Sequence, residues 1–204
     1  IPDELVPSQQ EIADQIAAIW SQPTYLAMIP AIQLCGPDAI GKRNVAAAAC
    51  AQVGLNLGVM TGETLPTSPS ELERLIRLWE RESALSKSAL LLESDEMDAA
   101  DTARSASFAR VIERVNGVML IATRDRRPMR QRPMITFDIG KPTLSEQRAL
   151  WRQTLGGAAE SLNGQLETLT AQFDITDQVI RAAGAQALGQ AAQRQLSGEA
   201  ASAD

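Results

Sequence analysis

Short apolar runs alternate with helical patterns through about residue 140, and this alternation constrains the fold more than any other feature of the chain. Apolar runs typical of buried strands occupy 25–35, 55–61, 89–92, 117–123 and 134–140. The spacing of apolar residues before and between them predicts helices over 8–20, 41–54, 68–86 and 105–116. Such alternation is typical of a parallel sheet that is covered by helices on both faces. We therefore predict an α/β fold with three layers (αβα) around a five-stranded parallel sheet.

The pattern changes after Lys141 and Pro142, where only helices are predicted, over 144–155, 158–172 and 176–189. We therefore expect two parts in the chain. Residues 1–142 would form the sheet-containing subdomain, and residues 143–196 a small all-α subdomain. The remaining residues, 197–204, are small and polar, and we expect a flexible tail there.

Composition excludes several classes of function. The chain has no histidine, which rules out Ser-His-Asp catalysis, Cys-His catalysis and histidine-bound zinc. The formal net charge of −6 and the 3% aromatic content argue against a nucleic-acid binder. No apolar run has the length of a membrane span, and no signal-peptide pattern opens the chain, so we expect a cytoplasmic protein. Because the chain begins at Ile1 without Met, we also expect a piece of a longer protein.

A candidate phosphate-binding loop follows the first apolar run. Gly36, Gly41 and Lys42 fit the frame G-x-x-x-x-G-K, in which backbone N–H groups surround a phosphate and the lysine contacts it at the start of a helix. The next residue of that frame is Ser or Thr, which holds Mg²⁺, but here it is Arg43. Arg43 either faces the phosphates as a second positive charge or points to solvent. The predicted nucleotide-contacting residues are Gly36, Pro37, Asp38, Ala39, Ile40, Gly41, Lys42 and Arg43. The alternative is an ordinary turn followed by a helix start.

The apolar run 89–92 ends in Glu93 and Ser94, at the place where a nucleotide hydrolase typically carries Asp and Glu. Glu93 is our predicted metal ligand. Ser94 cannot act as a general base near neutral pH, and loss of a positioned base costs about 10²–10⁴ in rate. Asp95, Glu96 and Asp98 are candidate substitute bases, and Glu93 is a further possible catalytic carboxylate. The alternative is an acidic loop that caps the next helix.

The segment 124–132 carries five arginines. Arg124 lies at the tip of the fourth predicted strand, where we expect it to contact phosphate. Positive charges this dense repel one another unless an anion or an acidic partner lies nearby. A nucleotide bound to a neighbouring subunit is one such partner, and a solvated basic loop is the alternative.

Four strings in the order "GPDAIGKR", "ALLLESDE", "VMLIATRDRR" and "KPTLSEQRALWRQTLG" resemble an AAA+ ATPase module, a P-loop NTPase, over about residues 8–188. The later string "FDITDQVIRAAGAQAL" resembles the following lid helix. More narrowly, residues 74–98 are similar to the first AAA+ module of tandem ATPases found beside bacterial phage-tail-like contractile injection systems. The chain departs from the pattern of active AAA+ ATPases at Arg43, Ser94 and Arg124. In that family, the residues at these three positions serve hydrolysis of the nucleotide rather than its binding.

This resemblance implies a helical lid, a nucleotide between sheet and lid, and ring assembly with AAA+ modules of the same or another chain. It implies ATP or ADP as the cofactor, with the place of Mg²⁺ left open, and an unknown protein as the substrate of the ring. It further implies inter-subunit roles for Arg127, Arg130 and Arg132 and a phosphate contact for Arg181 on the lid. We therefore predict a degenerate module that binds nucleotide with little or no hydrolysis and serves regulation or ring assembly. The alternatives are a nucleotide-free scaffold and an active ATPase that uses Asp95 or Glu96 as its base.

Overall fold

The computed structural model of the chain describes residues 5–22, 29–95, 97, 100–127, 132–162, 165–173 and 175–201. Its strands are β1 (Ala31–Cys35), β2 (Asn56–Thr61), β3 (Ser88–Glu93), β4 (Met119–Thr123) and β5 (Met134–Asp138). Its α-helices are α1 (Pro7–Trp20), α2 (Ala39–Gln52), α3 (Pro69–Ser86), α4 (Thr102–Arg114), α5 (Leu144–Leu155), α6 (Gln165–Gln172) and α7 (Asp177–Ala201). Short 3-10 helices cover Gly62–Thr64 and Gly156–Leu162.

The strands form one five-stranded parallel sheet in the spatial order β2-β3-β4-β1-β5. Cys35 at the end of β1 lies opposite Thr123 of β4 and Asp138 of β5. Glu93 at the end of β3 lies opposite Ala122 of β4. The carboxyl ends of these four strands therefore meet along one edge of the sheet. The predicted α/β fold, with a parallel sheet between helices and a helical C-terminal part, is confirmed.

Side chains of β3 alternate between two cores. Ala89 and Leu91 join a core that includes residues of α1 and α2, whereas Leu90 and Leu92 join a core that includes residues of α3 and α4. The connection through α2 leads from β1 to the β2 edge, and the connections through α3 and α4 lead back towards β1. Because such crossovers are right-handed, α2 and the pair α3 and α4 cover opposite faces. Ligands of open α/β sheets bind beyond the carboxyl ends of the strands, where the strand order reverses in this way.

The chain divides into two compact units. The first holds the sheet and spans Gln9–Gly140 together with Leu5, and the second holds Lys141 onward together with Val6–Ser8. The core of the second unit is built from buried residues of its helices and N-terminal segment: Val6, Leu150, Trp151, Leu166 and Ile180. Of the helices that the structure describes, none combines the length and the apolar character that a membrane crossing needs.

A capping box begins α5 in the second unit. The Thr143 hydroxyl accepts from the Glu146 backbone N–H, and the Glu146 carboxylate accepts from the Thr143 backbone N–H at 2.8 Å. The same carboxylate accepts from the backbone N–H of Ser8 at 2.7 Å and from its hydroxyl at 3.0 Å. Burial alone would raise the pKa of Glu146, but these donors outweigh it and hold the pKa below its usual range.

Two helices of the second unit differ from the sequence expectation. The helix predicted over 158–172 is shorter, because Gly156 takes a positive φ of 55° that ends α5 and a 3-10 helix follows before α6. Glycine favours such a helix end because it has no Cβ to oppose the left-handed backbone. In contrast, α7 is longer than predicted and continues to Ala201, into the segment 197–204 expected as a tail.

Candidate functional site

The β1–α2 loop places the predicted phosphate-binding residues at the carboxyl edge of the sheet. Gly36 has a φ of 147°, and a Cβ there would overlap the carbonyl oxygen of Ile139, so this turn requires glycine. Asp38 caps α2, and its carboxylate accepts from the backbone N–H of Gly41 at 3.0 Å. A Cβ on Gly41 would lie 2.7 Å from that carboxylate. Close packing therefore also explains both glycines, Gly36 against the backbone of Ile139 after β5 and Gly41 against the side chain of Asp38.

Lys42 lies at the centre of the site and is fully buried. Its ammonium donates to the carbonyl oxygen of Gly36 at 2.6 Å, to the carbonyl oxygen of Thr123 at 2.9 Å and to the carboxylate of Asp95 at 2.6 Å. An ammonium has three N–H donors, and the three contacts above give each of them an acceptor within the protein. Lys42 thus joins the ends of β1, β3 and β4, and a phosphate would have to replace at least one of these acceptors.

Arg43 and Glu93 form a two-pronged ion pair. The Nε and Nη2 atoms of Arg43 donate to the two carboxylate oxygens of Glu93 at 3.0 and 2.6 Å. The Arg43 side chain is 53% exposed, whereas that of Glu93 is 11% exposed. The hydrogen bonds from Glu93 raise the pKa of the Arg43 guanidinium further above its usual value. The predicted metal ligand is thus already engaged by a cation of the chain itself.

A cavity of about 170 Å³ opens beside this pair, between the ends of β2 and β3 and the start of α2. Pockets that hold drug-sized ligands measure about 300–1,000 Å³, so this cavity suits a small polar group. Its lining is Ala39, Arg43, Thr61, Gly62, Glu63, Glu93, Asp95 and Met97. Glu63 was missed in the sequence because it follows an edge strand and belongs to no recognisable motif.

The residues that follow Glu93 are anchored to the rest of the chain. Ser94 is buried and donates from its backbone N–H to the carbonyl oxygen of Ala122 at 3.0 Å, and from its hydroxyl to the same oxygen at 3.3 Å. Asp95 is held by Lys42. Glu96 and Asp98 lie outside the described residues. Their role as substitute bases stays a prediction.

The predicted arginine residues lie in different surroundings. Arg124 is exposed at the end of β4, and Arg127 lies over the ring of Phe108 with its guanidinium carbon 5.8 Å from the ring centroid. Arg130 lies outside the described residues, so its predicted inter-subunit role has no structural description here. Arg181 lies on α7 in the second unit and is partly buried. The phosphate contact predicted for Arg181 stays a prediction.

Arg132 is committed to contacts within the chain. Its guanidinium donates to the carbonyl oxygens of Val115 at 2.7 Å and Gly117 at 2.6 Å, and more weakly to that of Ile112 at 3.4 Å. These carbonyls lie in the last turn of α4 and just beyond it, where a cation is favoured by the helix dipole. Burial lowers the pKa of Arg132 from its usual value. The geometry gives Arg132 a capping role that the sequence did not indicate.

A buried glutamine in β1 fixes the start of the arginine segment. The Gln33 amide nitrogen donates to the Thr123 hydroxyl at 3.4 Å and to the Arg127 carbonyl oxygen at 3.3 Å, while its oxygen accepts from the Thr136 hydroxyl at 3.1 Å. Beside it, Arg126 forms an exposed ion pair with Asp138 of β5. Part of the positive charge in this segment is therefore neutralised by the chain itself.

The described part of the chain contains no group of three or more Cys, Asp or Glu side chains arranged to hold a metal ion. At Glu93, an incoming divalent cation would have to displace the guanidinium of Arg43 from the carboxylate. The hydroxyl that would complete a Mg²⁺ site beside Lys42 is replaced by that same arginine. The residues present therefore do not fit a Mg²⁺ ion in this arrangement.

Comparison with known families gives one finding, in the second unit. Residues 143–203 match the model of the contractile injection system ATPase helical domain. The match covers less than a third of the chain and includes α5, α6 and α7. No curated protein matches the chain. Over residues 143–203, the chain is therefore similar to the helical domain of contractile injection system ATPases.

Proposed function

We propose that the sheet-containing unit is a degenerate AAA+ module that binds ATP or ADP at the β1–α2 loop with little or no hydrolysis. Its role would be regulation or ring assembly within a larger ATPase of a contractile injection system. The family match over 143–203 supports the relation to such ATPases. The partners would be AAA+ modules of the same or another chain, the ring would act on an unknown protein, and the location would be cytoplasmic.

The observation that carries this proposal is the position of Lys42. It lies in the first turns of α2, where the ends of β1, β3 and β4 meet and the strand order reverses. The positive end of the helix dipole and the backbone of the loop favour an anion at this point. Asp95 accepts a hydrogen bond from the ammonium at 2.6 Å, and exchange of Asp95 for a phosphate would keep a charged partner on Lys42.

Weak or absent hydrolysis follows from the residues after β3. Ser94 stands where a base would stand, and its hydroxyl donates to a carbonyl oxygen of β4. Asp95 is paired with Lys42, so using it as a base would require breaking that ion pair. Among the residues that the structure describes, an attacking water would therefore lack a positioned general base, which accounts for about 10²–10⁴ in rate.

A nucleotide-free scaffold is the second candidate, and one observation favours it. All three donors of the Lys42 ammonium are satisfied by the protein and the side chain is fully buried. In that case the loop would serve only to hold the strand ends together.

Calorimetric titration of the full chain with ATP and with ADP tests the proposal. We expect micromolar binding and phosphate release close to background. Lys42→Ala should weaken binding at least about tenfold, whereas the matched substitution Lys87→Ala at an exposed lysine should leave it unchanged. Circular dichroism would establish that Lys42→Ala is folded, and Lys42→Gln is the second variant if it is not.

Absence of binding at millimolar nucleotide would reject the proposal and leave the scaffold. Nucleotide binding that survives in folded Lys42→Ala would reject the assignment of the loop. Sustained phosphate release that Asp95→Asn abolishes would establish the active ATPase instead.

A further inference from the structure

The ion pair of Arg43 and Glu93 joins two positions that would each contribute to a Mg²⁺ site. Arg43 stands where the phosphate-loop frame has a hydroxyl, and Glu93 ends the strand that would supply a carboxylate. The guanidinium contacts both oxygens of that carboxylate, at 3.0 and 2.6 Å. A fixed positive charge thus lies beside Glu93, in the position where a metal ion would otherwise be recruited.

The guanidinium keeps the capacity to bind a further anion. A guanidinium has five N–H donors, and the hydrogen bonds to Glu93 use two of them. No other described residue accepts a hydrogen bond from Arg43, and its side chain is 53% exposed. The cavity beside it is also lined by Ala39, at the N-terminus of α2. A phosphate oxygen placed beside Arg43 would meet remaining guanidinium donors and the positive end of the helix, and it would also approach the carboxylates of Glu63 and Asp95, which line the same cavity.

A divalent cation would be disfavoured in the same place. The cation would have to compete with Arg43, which belongs to the chain itself and already donates hydrogen bonds to both carboxylate oxygens of Glu93.

We propose that Arg43, held by Glu93, takes the place of the divalent cation, so that this site binds a nucleoside polyphosphate without Mg²⁺. This inference rests on the proposed function of the loop as a nucleotide site. It assigns Arg43 a ligand-contacting role and Glu93 a positioning role, in which the carboxylate aims the guanidinium at the phosphates.

The test is calorimetric titration of the full chain with ATP in excess Mg²⁺ and in EDTA, at a constant ionic strength of about 0.15 M because exposed charges are screened by salt. The expected affinity in EDTA equals or exceeds that in Mg²⁺, since free ATP carries more negative charge for Arg43. Arg43→Ser restores a hydroxyl to the frame and releases Glu93. In this variant, Mg²⁺ should tighten ATP binding about tenfold or more.

Two further variants distinguish the position of the Arg43 guanidinium from a general effect of positive charge on ATP binding. Glu93→Gln keeps Arg43 and should stay indifferent to Mg²⁺, with weaker binding because the guanidinium is no longer aimed. Arg77→Ser removes an exposed arginine on α3, outside the cavity lining, and should behave as the unsubstituted chain. Circular dichroism checks that Arg43→Ser is folded, and Arg43→Thr provides the same test if it is not.

Each outcome bears on the inference. ATP binding to the unsubstituted chain that requires Mg²⁺ would overturn it while leaving the proposed nucleotide site intact. Arg43→Ser that binds ATP equally in Mg²⁺ and EDTA would also overturn it. Absence of ATP binding under both conditions would overturn the proposed function and this inference together.

Discussion

Substitution of Lys42 by Met is the sharpest test of how the strand ends are held together. Met keeps much of the length and the apolar body of lysine, but it removes the ammonium and its three hydrogen bonds. Asp95, only 14% exposed, would be left without its cation, and two carbonyl oxygens would lose a donor. We therefore expect Lys42→Met to lower the free energy of unfolding even without nucleotide.

The magnitude follows from opposing effects. Removing one partner of a buried ion pair costs about 3–5 kcal/mol. Asp95 retains some contact with water, which places the cost towards the lower end of that range. The variant also avoids burying the lysine charge, which offsets part of the cost. We expect a net loss of about 3 kcal/mol, equivalent to a fall in Tm of about 6–12 °C for a chain of this size.

Urea unfolding followed by circular dichroism measures this loss, provided that the transition of the sheet-containing unit is resolved. Lys87→Met is the matched control at an exposed lysine, and it should change stability by less than about 0.5 kcal/mol. The double variant Lys42→Met with Asp95→Asn removes the unpaired carboxylate and should recover part of the loss. A cost below about 1 kcal/mol for Lys42→Met would refute the reasoning, because the ammonium would then contribute little to joining the strands.

Three further predictions concern the contact between Lys42 and Asp95, the capping box of α5 and the buried thiol of Cys50. Asp95→Asn should tighten ATP binding in calorimetry, because it weakens the competitor that a phosphate must displace from Lys42; unchanged or weaker binding would contradict this competition. The pKa of Glu146 is lowered in the folded chain, so its stabilising contribution is present above the pKa of a free glutamate, about 4.3, and is lost as pH falls through the folded value. Glu146→Gln should therefore be less stable than the unsubstituted chain at neutral pH and should lose less stability on acidification. Urea unfolding at several pH values measures this, and an equal pH dependence in both proteins would contradict the stabilising role of the Glu146 carboxylate. Burial raises the pKa of the Cys50 thiol to about 12, so a thiol reagent at pH 8 should label it only after unfolding, and rapid labelling of the native chain would contradict its burial.

The sheet could be predicted from the sequence because its strands are buried on both faces. Runs such as Leu90, Leu91 and Leu92 are apolar without interruption, which is typical of parallel strands between two helical layers. The limits of the elements were less predictable. The start of α2 moved to Ala39 because Asp38 caps the helix, and a capping contact depends on side-chain geometry as well as residue type.

The ion pairs of the site could not be predicted in the same way. Lys42 and Asp95 are 53 positions apart in the sequence. Many other charged residues lie between them, and no rule of sequence spacing selects this pair. Arg132 illustrates the same limit, because its contacts within the chain follow from its position relative to the end of α4, which the sequence does not indicate. Its predicted inter-subunit role stays a prediction. Local patterns predict elements, but contacts between distant elements depend on the assembled sheet.

Both cations in the first turns of α2 have acidic partners in the chain, and this affects how the site can respond to nucleotide. Lys42 is paired with Asp95, and Arg43 with Glu93. A phosphate must take Lys42 from its carboxylate, whereas it can bind Arg43 through the donors that Glu93 leaves open. The cost of releasing Lys42 lowers the apparent affinity, as for any ligand whose binding-competent state is a minor one. The same ion pair would hold the strand ends together without ligand. We therefore expect a module whose fold does not depend on nucleotide, as the proposed role in ring assembly would require.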